Sequence, residues 1–157
     1  IFLGACAQLV ACLNDIKRNN VFGAVAFGAF AFFWMGVALS WMIQSGAIMP
    51  ALQASYDPKQ LGVAFVGYLI FTAYMTIGSM ETNKVLFIIF VLIDLLFIGL
   101  SLATLGISPV FGTMLAGWSE LLLSLFSFYA SAANVLNNHF GRQFLPVGKP
   151  FGIFKKA

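Results

Sequence analysis

Two acidic residues, Asp94 and Glu120, stand inside long stretches of apolar residues, and neither stretch contains a lysine or arginine that could pair with them. A carboxylate taken out of water is costly unless a partner or a wet cavity receives it, and burial favours its protonated form. These acids are therefore candidates for reversible proton binding. A neutral acid that only forms a hydrogen bond to a neighbouring helix is the alternative, and the sequence leaves both open.

Polar side chains also recur at helical spacing in two of the apolar stretches. Steps of three and four residues place side chains on one face of an α-helix. One such stripe comprises Glu120, Ser124, Ser127, Ser131 and Asn134, and the other comprises Tyr68, Thr72, Thr76, Ser79 and Asn83. Two polar faces of this length favour a wet path through the protein. A polar seam between packed helices is the competing interpretation.

The composition indicates which solvent surrounds these helices. The chain has 157 residues, of which 61% are hydrophobic and 8% are charged, whereas a soluble domain is about 25% charged. Such a chain could not cover a surface in water, so its solvent is lipid and its net charge of +3 gives no support for binding nucleic acid. Cys6 and Cys12 are interpreted as packing residues. A single histidine, His139, excludes a bis-histidine haem site and argues against zinc. No metal, cofactor or catalytic residue is predicted.

Five hydrophobic segments follow one another along the chain, at 1–13, 21–43, 61–80, 85–107 and 110–136. A helix that spans a bilayer needs about 20 apolar residues. The last four segments satisfy this length, and helices are expected because backbone groups in lipid must be paired within each segment. Short connections predict one all-α membrane bundle over residues 1–157. The first segment is too short to span, so we expect an N-terminal part to be missing.

The basic residues predict an orientation. If the segments alternate in direction, seven of the eight Lys and Arg residues fall on one side and only Lys59 falls on the other. The seven are Lys17, Arg18, Lys84, Arg142, Lys149, Lys155 and Lys156. By the positive-inside rule this side is cytoplasmic, and it includes the tail at 140–157. A subunit that also starts in the cytoplasm would contain six helices in all.

The stretch NVLNNHFGRQFLPVG, at residues 134–148, resembles the C-terminal signature of the acetate uptake transporter family. That family includes bacterial succinate–acetate permeases and fungal acetate and ammonia-export-linked proteins. Three further pieces resemble the family in the same order. They are GACAQ at 4–8, NNVFGAVAFGAFAFFW at 19–34, and AGW at 116–118 followed by Tyr129.

The resemblance implies a six-helix subunit, a homo-hexamer, and a path for small monocarboxylates through each subunit. It also implies a narrow hydrophobic constriction, to which Phe30 and Ile93 would belong. Ser127 occupies a position that is tied to substrate choice in the family and is usually Ala there. Asp94 and Glu120 match no motif of the family, so their candidacy for proton coupling rests on the physical argument.

These observations predict a multi-pass protein of the plasma membrane that transports acetate and related monocarboxylates, with succinate as a further candidate. The predicted path is lined by Gln8, Tyr68, Thr72, Ser124, Ser127, Ser131 and Asn134. The alternatives are a channel for ammonium or small neutral solutes, and a membrane sensor or structural protein without flux. An enzyme is not expected. Passive channel and proton symport are left open, and so is the role of Arg142, which could cap the last helix or attract an anion.

Overall fold

The structure, a computed structural model, describes residues 1–154, and these are helical with no strand among them. A π-helical turn, Phe2–Ala7, leads into six α-helices. They are α1 (Gln8–Lys17), α2 (Val21–Gln44), α3 (Pro50–Gln53), α4 (Pro58–Ser79), α5 (Lys84–Thr104) and α6 (Pro109–Phe140). Helices α2, α4, α5 and α6 are long and apolar enough to cross a membrane. The predicted all-α membrane fold is confirmed. Lys155 and Lys156, and with them the end of the predicted tail, lie outside the described residues.

Local sequence signals explain where the long helices begin and end. The side chain of Asn20 accepts a hydrogen bond from Gly23 N at the start of α2, at 3.3 Å. Asn83 caps α5 in the same way through Leu86 N, at 2.9 Å. Pro109 opens α6, and Gly141 ends it in the left-handed conformation at φ 59°. Proline lacks the hydrogen that a first helical residue leaves unpaired, and glycine adopts positive φ without strain.

Two features differ from the sequence-based boundaries. The connection between α2 and α4 contains the short helix α3, which was not expected, and Gln53 Nε2 donates to Gln44 O there at 3.0 Å. Helix α6 continues to Phe140 rather than stopping at residue 136. The polar residues at 137–139 end the apolar pattern but not the helix, because a helix stops where its backbone is broken.

The chain divides into two compact units, Ile1–Leu61 and a second that begins at Gly62. In the first unit α1 and α2 pack through small residues. A Cβ atom placed on Gly28 would lie 3.1 Å from Cys12 Sγ, which agrees with a packing role for Cys12. The second unit contains most of α4 together with α5 and α6. The single bundle expected from the short connections stays a prediction.

In the second unit, α5 and α6 meet backbone to backbone at two buried glycines. A Cβ atom on Gly99 would lie 2.6 Å from Ala116 N and 2.7 Å from Gly112 O. A Cβ atom on Gly112 would lie 2.6 Å from Ala103 N and 2.7 Å from Gly99 O. Small residues allow this close approach, which is a common basis of helix packing in membranes. The contact fixes the register of the two antiparallel helices.

That register leaves one end of α6 without a neighbour along α5. Because Gly99 lies opposite the stretch 112–116, the first residue of α5, Lys84, lies level with about residue 129 of α6. Helix α6 continues to Phe140, so it extends roughly 16 Å beyond the start of α5. The chain that follows must return along this overhang to reach the ends of α4 and α5.

The returning segment is held by two side chains of α6. Asn137 Oδ1 accepts hydrogen bonds from the backbone N–H groups of Phe144 and Leu145, at 2.7 and 2.8 Å. Asn137 Nδ2 donates to Leu145 O at 2.9 Å. The Tyr129 hydroxyl donates to Pro146 O at 2.7 Å. These contacts explain why the helix ends in a polar motif followed by Leu-Pro-x-Gly.

The same segment then caps two other helices. Val147 O accepts from Val85 N in the first turn of α5 at 3.1 Å, and Phe151 N donates to Met80 O just after α4 at 2.9 Å. Helix ends leave such groups unpaired unless another segment supplies a partner. A carboxylate of the α4–α5 turn completes the attachment, since Glu81 Oε1 accepts from the N–H groups of residues 153 and 154 at 2.8 and 3.0 Å. The end of the described chain therefore fastens the ends of α4 and α5.

The glycine contact predicts a strong asymmetry between two Gly→Ala changes. Gly99→Ala pushes its methyl group into the backbone of α6, and we expect a loss of about 1–3 kcal/mol from overpacking. Gly117→Ala is the matched control, because no atom of a neighbouring element in residues 1–154 lies within 4 Å of a Cβ atom at that exposed site. The measurement is the thermal unfolding midpoint in detergent. Equal midpoints for the two variants would contradict the backbone contact.

The returning segment predicts a second asymmetry, between adjacent asparagines. Asn137→Ala removes three hydrogen bonds, and we expect a loss of about 1–3 kcal/mol together with faster amide hydrogen exchange in residues 143–147. Among the described residues the Asn138 side chain bonds only to Asn134 of its own helix, so Asn138→Ala should cost under about 0.5 kcal/mol. If both variants left the exchange of 143–147 unchanged, Asn137 would not hold the segment.

Candidate functional site

The polar stripe of α6 lies on the exposed side of that helix. Its five members, Glu120, Ser124, Ser127, Ser131 and Asn134, are all exposed. The buried positions of α6 are Gly112, Ala116, Ser119 and Ala133, and the first two of these contact α5. A face that carries a carboxyl group and four other polar side chains is unfavourable against lipid. Such a face is suited to a water-containing path or to a polar contact with further helices.

Ser124 and Asn134 of this stripe take part in hydrogen bonds within their own helix. Ser124 Oγ donates to Glu120 O at 2.8 Å, which is the usual way for a serine to satisfy itself in a membrane helix. Near the end of the helix Asn138 Nδ2 donates to Asn134 O at 2.7 Å. The stripe can therefore remain folded while its outward oxygen atoms accept further hydrogen bonds.

The stripe of α4 has a different environment. Thr72 and Ser79 are completely buried, and their hydroxyl groups donate to Leu69 O at 3.2 Å and to Thr76 O at 2.6 Å. One turn before Thr72 on the same face, the ring of Tyr68 stacks on Phe97 of α5, with centroids 5.9 Å apart. Thr72 and Ser79 thus satisfy their hydroxyl groups within α4, while Tyr68 contacts α5 through its ring. The predicted roles of Tyr68 and Thr72 in a path stay predictions.

The two acids differ in their surroundings although they lie at a similar height. The α5–α6 register places Asp94 level with about residue 119 of α6, next to Glu120. Glu120 is exposed, whereas Asp94 is only partly exposed and its Oδ2 lies 2.6 Å from the Thr76 hydroxyl of α4. The other carboxyl oxygen, Oδ1, is buried, and no donor reaches it among the described residues. The two carboxyl groups therefore differ in their exposure and in their hydrogen-bond partners.

The remaining predicted site residues are divided between the two units. Gln8 and Phe30 belong to the first unit and are partly buried, and the Phe30 ring meets Phe33 edge to face with centroids 6.4 Å apart. Ile93 belongs to the second unit, next to Asp94, and is also partly buried. Phe30 and Ile93 lie in different units, and their constriction stays a prediction.

Sequence reasoning overlooked three contacts of the second unit. It did not pair Thr76 with Asp94, although Thr76 belonged to a predicted polar stripe and Asp94 was a candidate for proton binding. It did not assign Asn137 to the Leu-Pro-x-Gly segment, and here a signal existed, because an amide in the last helical turn can pair with a chain that folds back. No local signal marked Glu81 as the acceptor for the end of the described chain.

Comparison with known proteins places this arrangement in a family. The model of the GPR1/FUN34/yaaH family matches residues 1–147. The chain is 31% identical over 153 residues to the "Succinate-acetate/proton symporter SatP" of Escherichia coli (strain K12). The aligned region covers 95% of this chain and 77% of that protein. It is 24% identical over 144 residues to the "Ammonia transport outward protein 2" of Saccharomyces cerevisiae, covering 88% of this chain and 50% of that protein. The fold resembles the solved structure of the bacterial acetate channel SatP with a TM-score of 0.85 and 29% identity, over 94% of this chain and 79% of that chain. The chain therefore belongs to the GPR1/FUN34/yaaH family.

Proposed function

We propose that this protein transports acetate and related small monocarboxylates across a membrane. The observation that carries the proposal is the exposed polar stripe of α6, which supplies hydroxyl, amide and carboxyl groups at every turn from Glu120 to Asn134. Relatives named as a succinate-acetate/proton symporter and as an acetate channel support the same function.

The stripe suits the passage of a small anion for a physical reason. An acetate-sized anion loses hydration when it leaves bulk water, and polar side chains can replace part of its hydration shell. In the proposed path these are Gln8, Tyr68, Thr72, Ser124, Ser127, Ser131 and Asn134. An apolar neck that includes Phe30 and Ile93 would then require further dehydration, which selects small or weakly hydrated acids.

Several finer properties belong to the same proposal. We propose a plasma-membrane protein, and the distribution of basic residues supports a cytoplasmic C-terminal tail. A homo-hexamer with one path in each subunit, and succinate as a second substrate, are proposed from the family. Asp94 and Glu120 are the candidate residues for proton coupling. The relatives named as transporters and channels argue against an enzyme.

A second candidate is passage of ammonium or a small neutral solute, favoured by the relative named as an ammonia transport outward protein. A path lined by hydroxyl groups and closed by an apolar neck suits neutral molecules as well as weakly hydrated anions. The third alternative, a sensor or structural protein without flux, would use the α6 stripe only as a contact surface.

The proposal predicts that filling the stripe blocks uptake. Ser127→Leu replaces a hydroxyl group with a branched apolar side chain, and we expect the initial rate of labelled acetate uptake into proteoliposomes to fall at least about tenfold, or about 1.4 kcal/mol in barrier height. Phe128→Leu is the matched control, because Phe128 is the next residue and 76% exposed but lies outside the stripe. Its uptake should stay within about twofold of the unmodified protein, a difference of under about 0.5 kcal/mol.

The same vesicles distinguish the alternatives. Uptake of labelled methylammonium without acetate uptake would replace the monocarboxylate proposal by the ammonium proposal. Absence of flux for both solutes in correctly folded protein would favour the sensor or structural role. Equal acetate uptake by Ser127→Leu and Phe128→Leu would contradict the path along α6.

A further inference from the structure

The Thr76 side chain makes two short contacts with only one hydrogen atom. Its Oγ1 lies 2.9 Å from Thr72 O on the same helix and 2.6 Å from Asp94 Oδ2 on α5. Both distances are typical of O–H···O hydrogen bonds. A threonine hydroxyl carries a single hydrogen, and neither a backbone carbonyl nor an ionised carboxylate can donate one.

An ionised Asp94 fits these contacts poorly. If Thr76 donated its hydrogen to the carboxylate, its oxygen would face Thr72 O at 2.9 Å with no hydrogen between them. The other carboxylate oxygen, Oδ1, would be a buried, charged acceptor without a donor among the described residues. An unsatisfied buried polar group costs about 1–3 kcal/mol, and more when it is charged.

A protonated Asp94 gives each contact one hydrogen. The carboxyl O–H then donates to Thr76 Oγ1, and the Thr76 hydroxyl donates to Thr72 O. The orphan Oδ1 becomes the carbonyl oxygen of a neutral acid, for which burial is far less costly than for a charged oxygen. The relay runs in one direction, from the acid on α5 to the backbone of α4.

In the part of the chain that the structure describes, the groups around Asp94 offer no compensating charge. On α5, Phe90 and Phe97 lie one turn away on either side, and the nearest cation, Lys84, is about 15 Å along the helix axis. On α4 the facing groups are uncharged, and Glu81 beyond its end accepts N–H groups of residues 153 and 154. On α6 the acid at this level, Glu120, is exposed and negative when ionised.

We propose that Asp94 is a proton-binding site, and that in this conformation it is a neutral acid donating to Thr76. Loss of its proton forces the Thr76 hydroxyl to turn from Thr72 O to Asp94, and leaves a charge that needs water or a cation. The hydrogen bond between α4 and α5 thereby depends on the protonation of one residue. The consequence for transport rests on the proposed function: Asp94, and not Glu120, would bind the coupled proton.

Infrared spectroscopy of the full chain in lipid at neutral pH tests the site without transport. The unmodified protein should show the C=O stretch of a protonated carboxyl group, and Asp94→Asn should remove it. Glu120→Gln should retain that band. Thr76→Val removes the acceptor, so the band should shift to higher frequency, whereas Thr76→Ser should leave it in place.

Two results would overturn the site. One is an Asp94→Asn spectrum that loses carboxylate intensity and keeps every protonated-acid band. The other is an acid band that does not move in Thr76→Val, which also decides the question if Asp94→Asn fails to fold. Uptake measurements separate this proposal from the function. Asp94→Asn should make acetate accumulation insensitive to an inward proton gradient, while absence of any uptake would remove the proposed function and leave the infrared result standing.

Discussion

The close contact between Gly99 and Gly112 sets the height of α5 against α6, and much of the second unit follows from it. Small residues, here glycines that face glycine and alanine, allow two helix backbones to approach this closely. The register that results leaves the last part of α6 as an overhang beyond the start of α5. It also places Asp94 and Glu120 at a similar height along the helices. Glu120 is exposed, whereas Asp94 is only partly exposed.

The overhang creates a problem that the end of the chain solves. Backbone groups at the ends of α4 and α5 need partners, because an unpaired group near lipid is costly. Helix α6 turns at Gly141, and the segment held by Asn137 carries Val147 O to α5 and Phe151 N to the end of α4. The apolar helix α6 thus ends in polar residues because they position the segment that caps α4 and α5. The polar motif at the end of α6 therefore has a structural role in the second unit, in addition to any role at the entrance of a transport path.

Much of the fold follows from the sequence, because long apolar runs and asparagine, proline and glycine signals act locally. The four spanning helices, the cap at Asn83 and the break at Gly141 are of this kind. Helix α3 was missed because it has four residues and is closed by Gln53, whose partner is nine residues away. The pairing of Thr76 with Asp94 could not be predicted, since it depends on the rotation and register of two helices. Periodicity identified both stripes but could not indicate which one is buried.

Polar groups in the second unit therefore serve two purposes. On α4, Thr72 and Ser79 are buried, while Thr76 and Tyr68 contact α5; the stripe on α6 is exposed, and we propose that it faces a solute. The most direct test of the second assignment is thiol accessibility, after Cys6 and Cys12 have been replaced by alanine. Ser127→Cys and Ser131→Cys should react with a membrane-impermeant thiol reagent, acetate should slow the reaction, and Phe128→Cys should resist it. Reaction of Phe128→Cys alone, or reaction of the serine positions that acetate does not slow, would contradict a path along α6.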